Sequence, residues 1–161
     1  MGLETIHPEA LPRLDKRMRL ADFDQAATRL LVAGIRVRAF VQVSAPFIPE
    51  SEAVDWAVRS AEYAVNLGAT HVSLIPTRGG NGALELLAAQ GDFRPTSLTQ
   101  LEDALDRTTV LGLDAVVTVD LWDQDRLAAP HCCRAARLAR LTRINLSGQG
   151  ERPVTCGQCG R

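Results

Sequence analysis

THVSLIPTRGGNG, residues Thr70 to Gly82, is the stretch on which the fold class turns. Its β-prone residues His71, Val72, Ser73, Leu74 and Ile75 stop at Pro76 and open into a turn that carries three glycines, Arg78 and Asn81. A short apolar run ending in a glycine-rich polar turn is how a central strand reaches the working edge of a parallel α/β sheet.

Upstream, the pattern predicts a helix from Ser51 to Asn66. Val54, Ala57, Val58, Ala61, Ala64 and Val65 share one side, Glu52, Asp55, Arg59 and Glu62 face water, and Gly68 ends the segment. Ahead of it, Phe23, Ala26, Ala27, Leu30 and Leu31 mark a helix over Ala21–Ala33, closed by Gly34. Ile35 to Val43 follows as a strand that stops before Pro46 and Pro49; its second half is almost wholly apolar, which predicts burial on both faces. Helix, glycine and strand, met twice, predict consecutive crossovers in one parallel sheet. Downstream come a short helix, Ala83–Gln90, closed by Gly91, and a helix from the Ser97/Gln100 capping box to Leu111. Asp114 to Asp120 is one more strand, ending at Asp120, Trp122 and Asp123.

Met1 to Thr5 reads as the end of a further strand. His7 to Arg19, with Pro8, Pro12 and the basic residues Arg13, Lys16, Arg17 and Arg19, reads as a turn with one short helical piece. Parallel sheets bind ligands at the edge where the strands deliver these polar residues. There, Gly79 and Gly80 beside Asn81 let a substrate approach the backbone, and Arg78 can fork onto a carboxylate or phosphate, or pair with Glu85 or another acidic neighbour. Asp120 and Asp123 suit a polar substrate contact, or equally a helix cap and a salt bridge. The glycine spacing is not that of a dinucleotide fingerprint. So short a first strand leaves a face and an edge uncovered, which predicts a further segment or a partner.

A chain of 161 residues holds one core, and with one Tyr and four Phe, Ala, Val and Leu must fill it. No segment approaches the roughly 20 apolar residues of a membrane span, and no basic-then-apolar leader opens the chain, which predicts a cytoplasmic protein with no membrane partner. The net charge of −1 hides an asymmetry: residues 1–130 hold 12 basic and 18 acidic side chains, a balance of −6, whereas residues 131–161 hold six Arg against Glu151, a balance of +5. All four cysteines lie in that tail.

Cys156-Gly157-Gln158-Cys159 has the spacing that turns two thiolates toward one metal, and His131-Cys132-Cys133 can complete a tetrahedral zinc site. Side chains of adjacent cysteines diverge, so Cys133 with His131, or one thiol with an outside group, competes with both thiols together. A redox dithiol and inert thiols are the alternatives, and a disulfide framework does not suit the compartment. Between the cysteine pairs, the helical stretch Cys133–Asn145 spaces Arg134, Arg137, Arg140 and Arg143 three apart. Steps of three drift by about 60° each, a breadth that suits an RNA backbone and equally suits pairing with the acidic main domain. No aromatic residues interleave with the arginines, against a stacking platform.

Gly2-Leu3-Glu4-Thr5 with Leu11, Leu14, Lys16, Arg17 and Phe23, the strands Val37–Pro46 and Val72–Pro76, and the blocks IPTRGGNGALE (Ile75–Glu85) and DLWD (Asp120–Asp123) resemble the C-terminal half of a radical S-adenosylmethionine domain. The nearest likeness is to its RNA-modifying branch, the archaeosine-biosynthesis and elongator catalytic-subunit-like enzymes. The resemblance implies an α/β fold for residues 1–125: a parallel sheet with covering helices, forming the C-terminal half of a partial (β/α)6 TIM-like barrel. Residues 126–161 would be a short, basic, cysteine-containing helical tail. Such enzymes hold a [4Fe-4S] cluster on a CxxxCxxC loop and cleave S-adenosylmethionine reductively. By resemblance Glu4 and Thr5 contact that cofactor, Lys16 or Arg17 meets its methionine carboxylate, and Arg78 lies beside it. No CxxxCxxC occurs in these residues. The likeness therefore implies a fragment, inactive alone, whose cluster-binding N-terminal half is missing or separately encoded. The alternative is a non-catalytic RNA-binding or assembly module with a zinc-binding tail.

Overall fold

The computed structural model describes residues 1–80 and 82–159. Four strands, β1 (Gly2–Glu4), β2 (Arg38–Val43), β3 (His71–Pro76) and β4 (Val116–Val119), form one parallel sheet in the order β1-β2-β3-β4. Six α-helices connect and cover them: α1 (Ala10–Arg13), α2 (Leu20–Val32), α3 (Ala53–Asn66), α4 (Ala83–Gln90), α5 (Leu98–Val110) and α6 (His131–Ser147). Arg38 pairs with His71, Val41 with Leu74, and Leu74 in turn with Val119, so every strand reaches the same edge. The sheet is open, with β1 and β4 as its outer strands among the described residues.

Period-2 alternation sorts the side chains. Leu3, Ala39, Val41, Val43, Val72 and Leu74 are buried in the core with Phe23, Ala57, Ala61, Leu101, Leu105 and Leu141 of the helices. Burying each of the larger aliphatic side chains contributes about 1.5–3 kcal/mol. The opposite face carries Arg38, Phe40 and Gln42 on β2, His71, Ser73 and Ile75 on β3, and Val116 and Thr118 on β4. Here the expectation of a strand covered on both faces fails. Phe40 and Val116 are 39% and 46% exposed, and the polar residues bond along the face instead of meeting a second layer. Arg38 Nε donates to Ser73 Oγ at 2.7 Å, His71 Nε2 and Thr118 Oγ1 lie 2.9 Å apart, and Gln42 Nε2 donates to Glu4 Oε2 at 2.7 Å.

The first strand is not frayed. The amine of Met1 donates to the Arg38 carbonyl at 2.6 Å, and Phe40 N to the Met1 carbonyl at 2.8 Å. The Ser97/Gln100 capping box forms as the spacing predicts, Gln100 N reaching Ser97 Oγ at 3.2 Å and Ser97 N reaching Gln100 Oε1 at 2.9 Å. Among the described residues no helix is long and apolar enough to cross a membrane.

In α6, Cys133, Arg137, Arg140, Leu141 and Ile144 are buried, a stripe of helical period turned toward α5. Arg137 and Arg140 are 0% and 1% exposed. Arg137 Nε and Nη2 lie 2.7 and 2.6 Å from Glu102 Oε2, and Nη2 donates to Thr99 Oγ1 at 3.0 Å. Arg140 bonds Asp106 and the Glu151 carbonyl. Arg143 grips the Glu151 carboxylate through Nε at 2.9 Å and Nη2 at 2.8 Å, and Arg134 donates to the carbonyls of Leu127 and Gln124 at 2.6 Å. All four arginines of the helix are therefore engaged within the chain. Arg137 and Arg140 pair with Glu102 and Asp106 of the acidic domain, one of the two uses that the spacing allowed, because the three-residue rhythm places them on the inward stripe.

Candidate functional site

Two places gather chemistry, both at the edge where the strands end. The first is at the start of α6. Proline at the N-cap, Pro130, places Cys132 and Cys133 in the first helical turn. From Ser147 the chain must return to these residues. The helix rises about 21 Å between Cys133 and Ser147 at 1.5 Å per residue, while the eight steps from Gly148 to Cys156 reach about 26 Å when extended. Residues 148–156 accordingly carry no regular structure and run as a nearly taut strap, held midway by Glu151. At its end Cys156–Cys159 turns back onto α6.

The four Sγ atoms of Cys132, Cys133, Cys156 and Cys159 lie within 4.8 Å of one another. Cys133 and Cys159 are 3.6 Å apart, as are Cys132 and Cys156. A tetrahedral zinc site with Zn–S bonds of about 2.3 Å needs sulfurs about 3.8 Å apart. The cluster is capable of coordinating a metal ion. Backbone N–H groups of Cys159 and Gln158 bond the Cys156 sulfur and, with the neighbouring thiols, bring its pKa down to about 7. The hydrogen bond to Cys156, then burial, pushes Cys159 up to about 12, and Cys132 is raised chiefly by its bond to Cys156. Cys156 is thus more readily ionised than its partners Cys159 and Cys132, whose thiol forms are favoured by their hydrogen bonds to it. His131 is exposed and lies outside this group. Both adjacent cysteines do join it, because the CxxC turn approaches along the helix end and spans their divergence.

The second place is the strand edge itself. Glu4, Ser44 and Asp123 hold φ of 65°, 57° and 54°, a left-handed conformation that costs a non-glycine residue energy and collects at binding sites. Glu4 Oε1 lies 3.7 Å from Lys16 Nζ, while Arg17 is exposed. The fold thus brings Lys16, of the two, to Glu4. Thr5 is buried and accepts a bond from His7 N at 3.1 Å, so it builds the turn after β1. Arg78 and Asp120 are brought together: Arg78 Nη1 meets Asp120 Oδ2, and its Nη2 the Asp120 carbonyl, both at 3.1 Å. Arg78's acidic neighbour is thus Asp120, and Glu85 instead accepts from the backbone N–H of Gly80. Gly79 is kept bare by Glu85, whose Oε1 a Cβ would strike at 2.5 Å, and Gly80 by its φ of 121° and the Arg126 guanidinium. Asp123 pairs with Arg126 at 3.3 Å. Asn81 lies outside the described residues.

Two cavities open here. One of about 530 Å³ is bounded by Lys16, Gln42, Phe47, Thr77 and α4; one of about 300 Å³ by Arg78, Gly79, Trp122 and Arg126. α4 is apolar yet buries none of its side chains, with Leu86 67% exposed, and forms a loose wall between Gly82 and Gly91. Along the same strand edge, Gln42 Oε1, Ser44 Oγ, Thr77 Oγ1 and Arg78 Nε are buried without hydrogen-bond partners. Such groups cost free energy unless something binds them. The sequence did not single out Gln42, Ser44 or Thr77; their one signal was position, as polar residues at the end of β2 or just past the ends of β2 and β3.

Comparison of the chain with protein-family models, with curated proteins and with solved structures finds no match.

Proposed function

We propose that the chain is a non-catalytic assembly module, a one-sided parallel sheet whose C-terminal strap is locked by a structural zinc ion bound to Cys132, Cys133, Cys156 and Cys159. The observation that carries this reading is the approach of all four Sγ atoms to within 4.8 Å. Closed tetrahedral thiolate sites are structural, and binding there contributes folding free energy directly. Zinc would pin the strap, and through Glu151 the strap reaches Arg140 and Arg143 on α6. The partner would cover the bare sheet face around Arg38, Phe40 and Val116, since parallel sheets are otherwise covered on both sides. Assembly is favoured over RNA binding because Arg137 and Arg140 are turned inward.

The test is metal analysis of the full chain purified without added metal. About one zinc per chain is expected, lost together with thermal stability in Cys156→Ser and Cys159→Ser. A metal-free chain that melts as it does with zinc present would rule the reading out.

A second reading, that the chain supplies the later strands of a radical S-adenosylmethionine barrel, is favoured by the sequential strand order and by Glu4, Lys16 and Gln42 meeting at one edge. The residues present do not fit the cluster: the only cysteines are the four of the tail, and none has CxxxCxxC spacing. With its four thiolates already occupied by zinc, the chain alone is therefore expected to stay colourless after anaerobic incubation with iron and sulfide.

A further inference from the structure

Arg137 is a buried cation one helical turn from Cys133 that, among the described residues, keeps an unused donor. It follows Cys133 by four residues, one turn along α6, and its guanidinium sits in electrostatic contact with that thiol. Glu102 and Thr99 take its Nε and Nη2, while Nη1 is buried and makes no hydrogen bond of ordinary geometry. A buried N–H without an acceptor is costly, and a thiol is a poor acceptor. A metal-bound thiolate is a good one. Four thiolates on a divalent ion also leave a net charge of −2, which a buried site must have compensated.

We infer that Arg137 is a positioning residue of the metal centre: its Nη1–H completes a bond to the Cys133 thiolate once the ion is bound, offsetting the centre's negative charge and tying it through Glu102 to α5. The inference rests on the zinc reading above. Outer-shell partners of this kind change metal affinity by about 10–100-fold.

The test uses the full chain loaded with zinc and, separately, with cobalt(II), and follows chelator competition and the sulfur-to-cobalt charge-transfer band. Arg137→Met is expected to weaken metal retention at least about tenfold and to move the band to lower energy, since an N–H donor stabilises the sulfur lone pairs. Glu102→Gln frees Arg137 toward the thiolate, and should retain metal as well as the native chain or better. The double variant E102Q/R137M leaves no carboxylate stranded by loss of Arg137, and should lose metal as Arg137→Met does. Native retention and an unmoved band in Arg137→Met would overturn the inference while leaving the metal centre standing. Equal weakening in Glu102→Gln would also overturn it, showing that the α5–α6 ion pair acts only as scaffold. A native chain that takes up neither metal would remove the centre itself, and Arg137's role with it.

Discussion

Replacing Arg140 by Ala tests whether the basic helix is a buried brace or an exposed surface. The guanidinium is 1% exposed and bonds Asp106 and the Glu151 carbonyl, with Glu102 Oε1 at 3.8 Å. Removing one partner of a buried pair costs about 3–5 kcal/mol. Two features place this case at the lower end. Glu102 keeps Arg137 at 2.6 Å, and Asp106, 30% exposed, can reach water. A loss of about 3 kcal/mol is expected, and at about 2–4 °C per kcal/mol for a chain of this size the melting temperature falls by about 6–12 °C. Urea unfolding at fixed excess zinc reads the free energy, with exposed Arg36→Ala as a control expected to stay within about 0.5 kcal/mol. If Arg140→Ala unfolds like the native chain while RNA affinity and its salt dependence fall, the guanidinium is in solvent and the inward packing of α6 is wrong.

In the metal-free chain Cys156, at about 7, is expected to alkylate faster at neutral pH than Cys159, at about 12. Iodoacetamide labelling followed by peptide mass analysis checks the order, and equal rates at the two sites would refute it. Burial, then the charge of Arg38, lowers the pKa of His71 below 6.5, so the unfolded chain binds the proton more readily than the folded one. Stability should therefore fall as pH drops through about 6.5 toward the lower folded value, and His71→Gln should remove that part of the slope; a pH profile identical to the native one would count against it.

Much of the architecture was legible because it rests on local chemistry. Gly34, Gly68 and Gly91 end helices, Ser97 with Gln100 opens one, and Val72–Ile75 turns into its loop at Pro76, so element order and the parallel sheet follow from residues near one another in the chain. The CxxC spacing likewise marks a metal-capable turn, since two ligands three positions apart need only the backbone between them. What the one-dimensional pattern left open was decided at long range. Cys132 and Cys133 both face Cys156 and Cys159 only because a nearly extended strap returns along α6. Arg78 lies against Asp120 although Glu85 is nearer in sequence, because β3 and β4 are hydrogen-bonded neighbours in the sheet. Of the arginines of α6, evenly spread on paper, Arg137 and Arg140 turn inward because Glu102, Asp106 and the Glu151 carbonyl wait on other segments, and a charge is buried only where its partners are already in place.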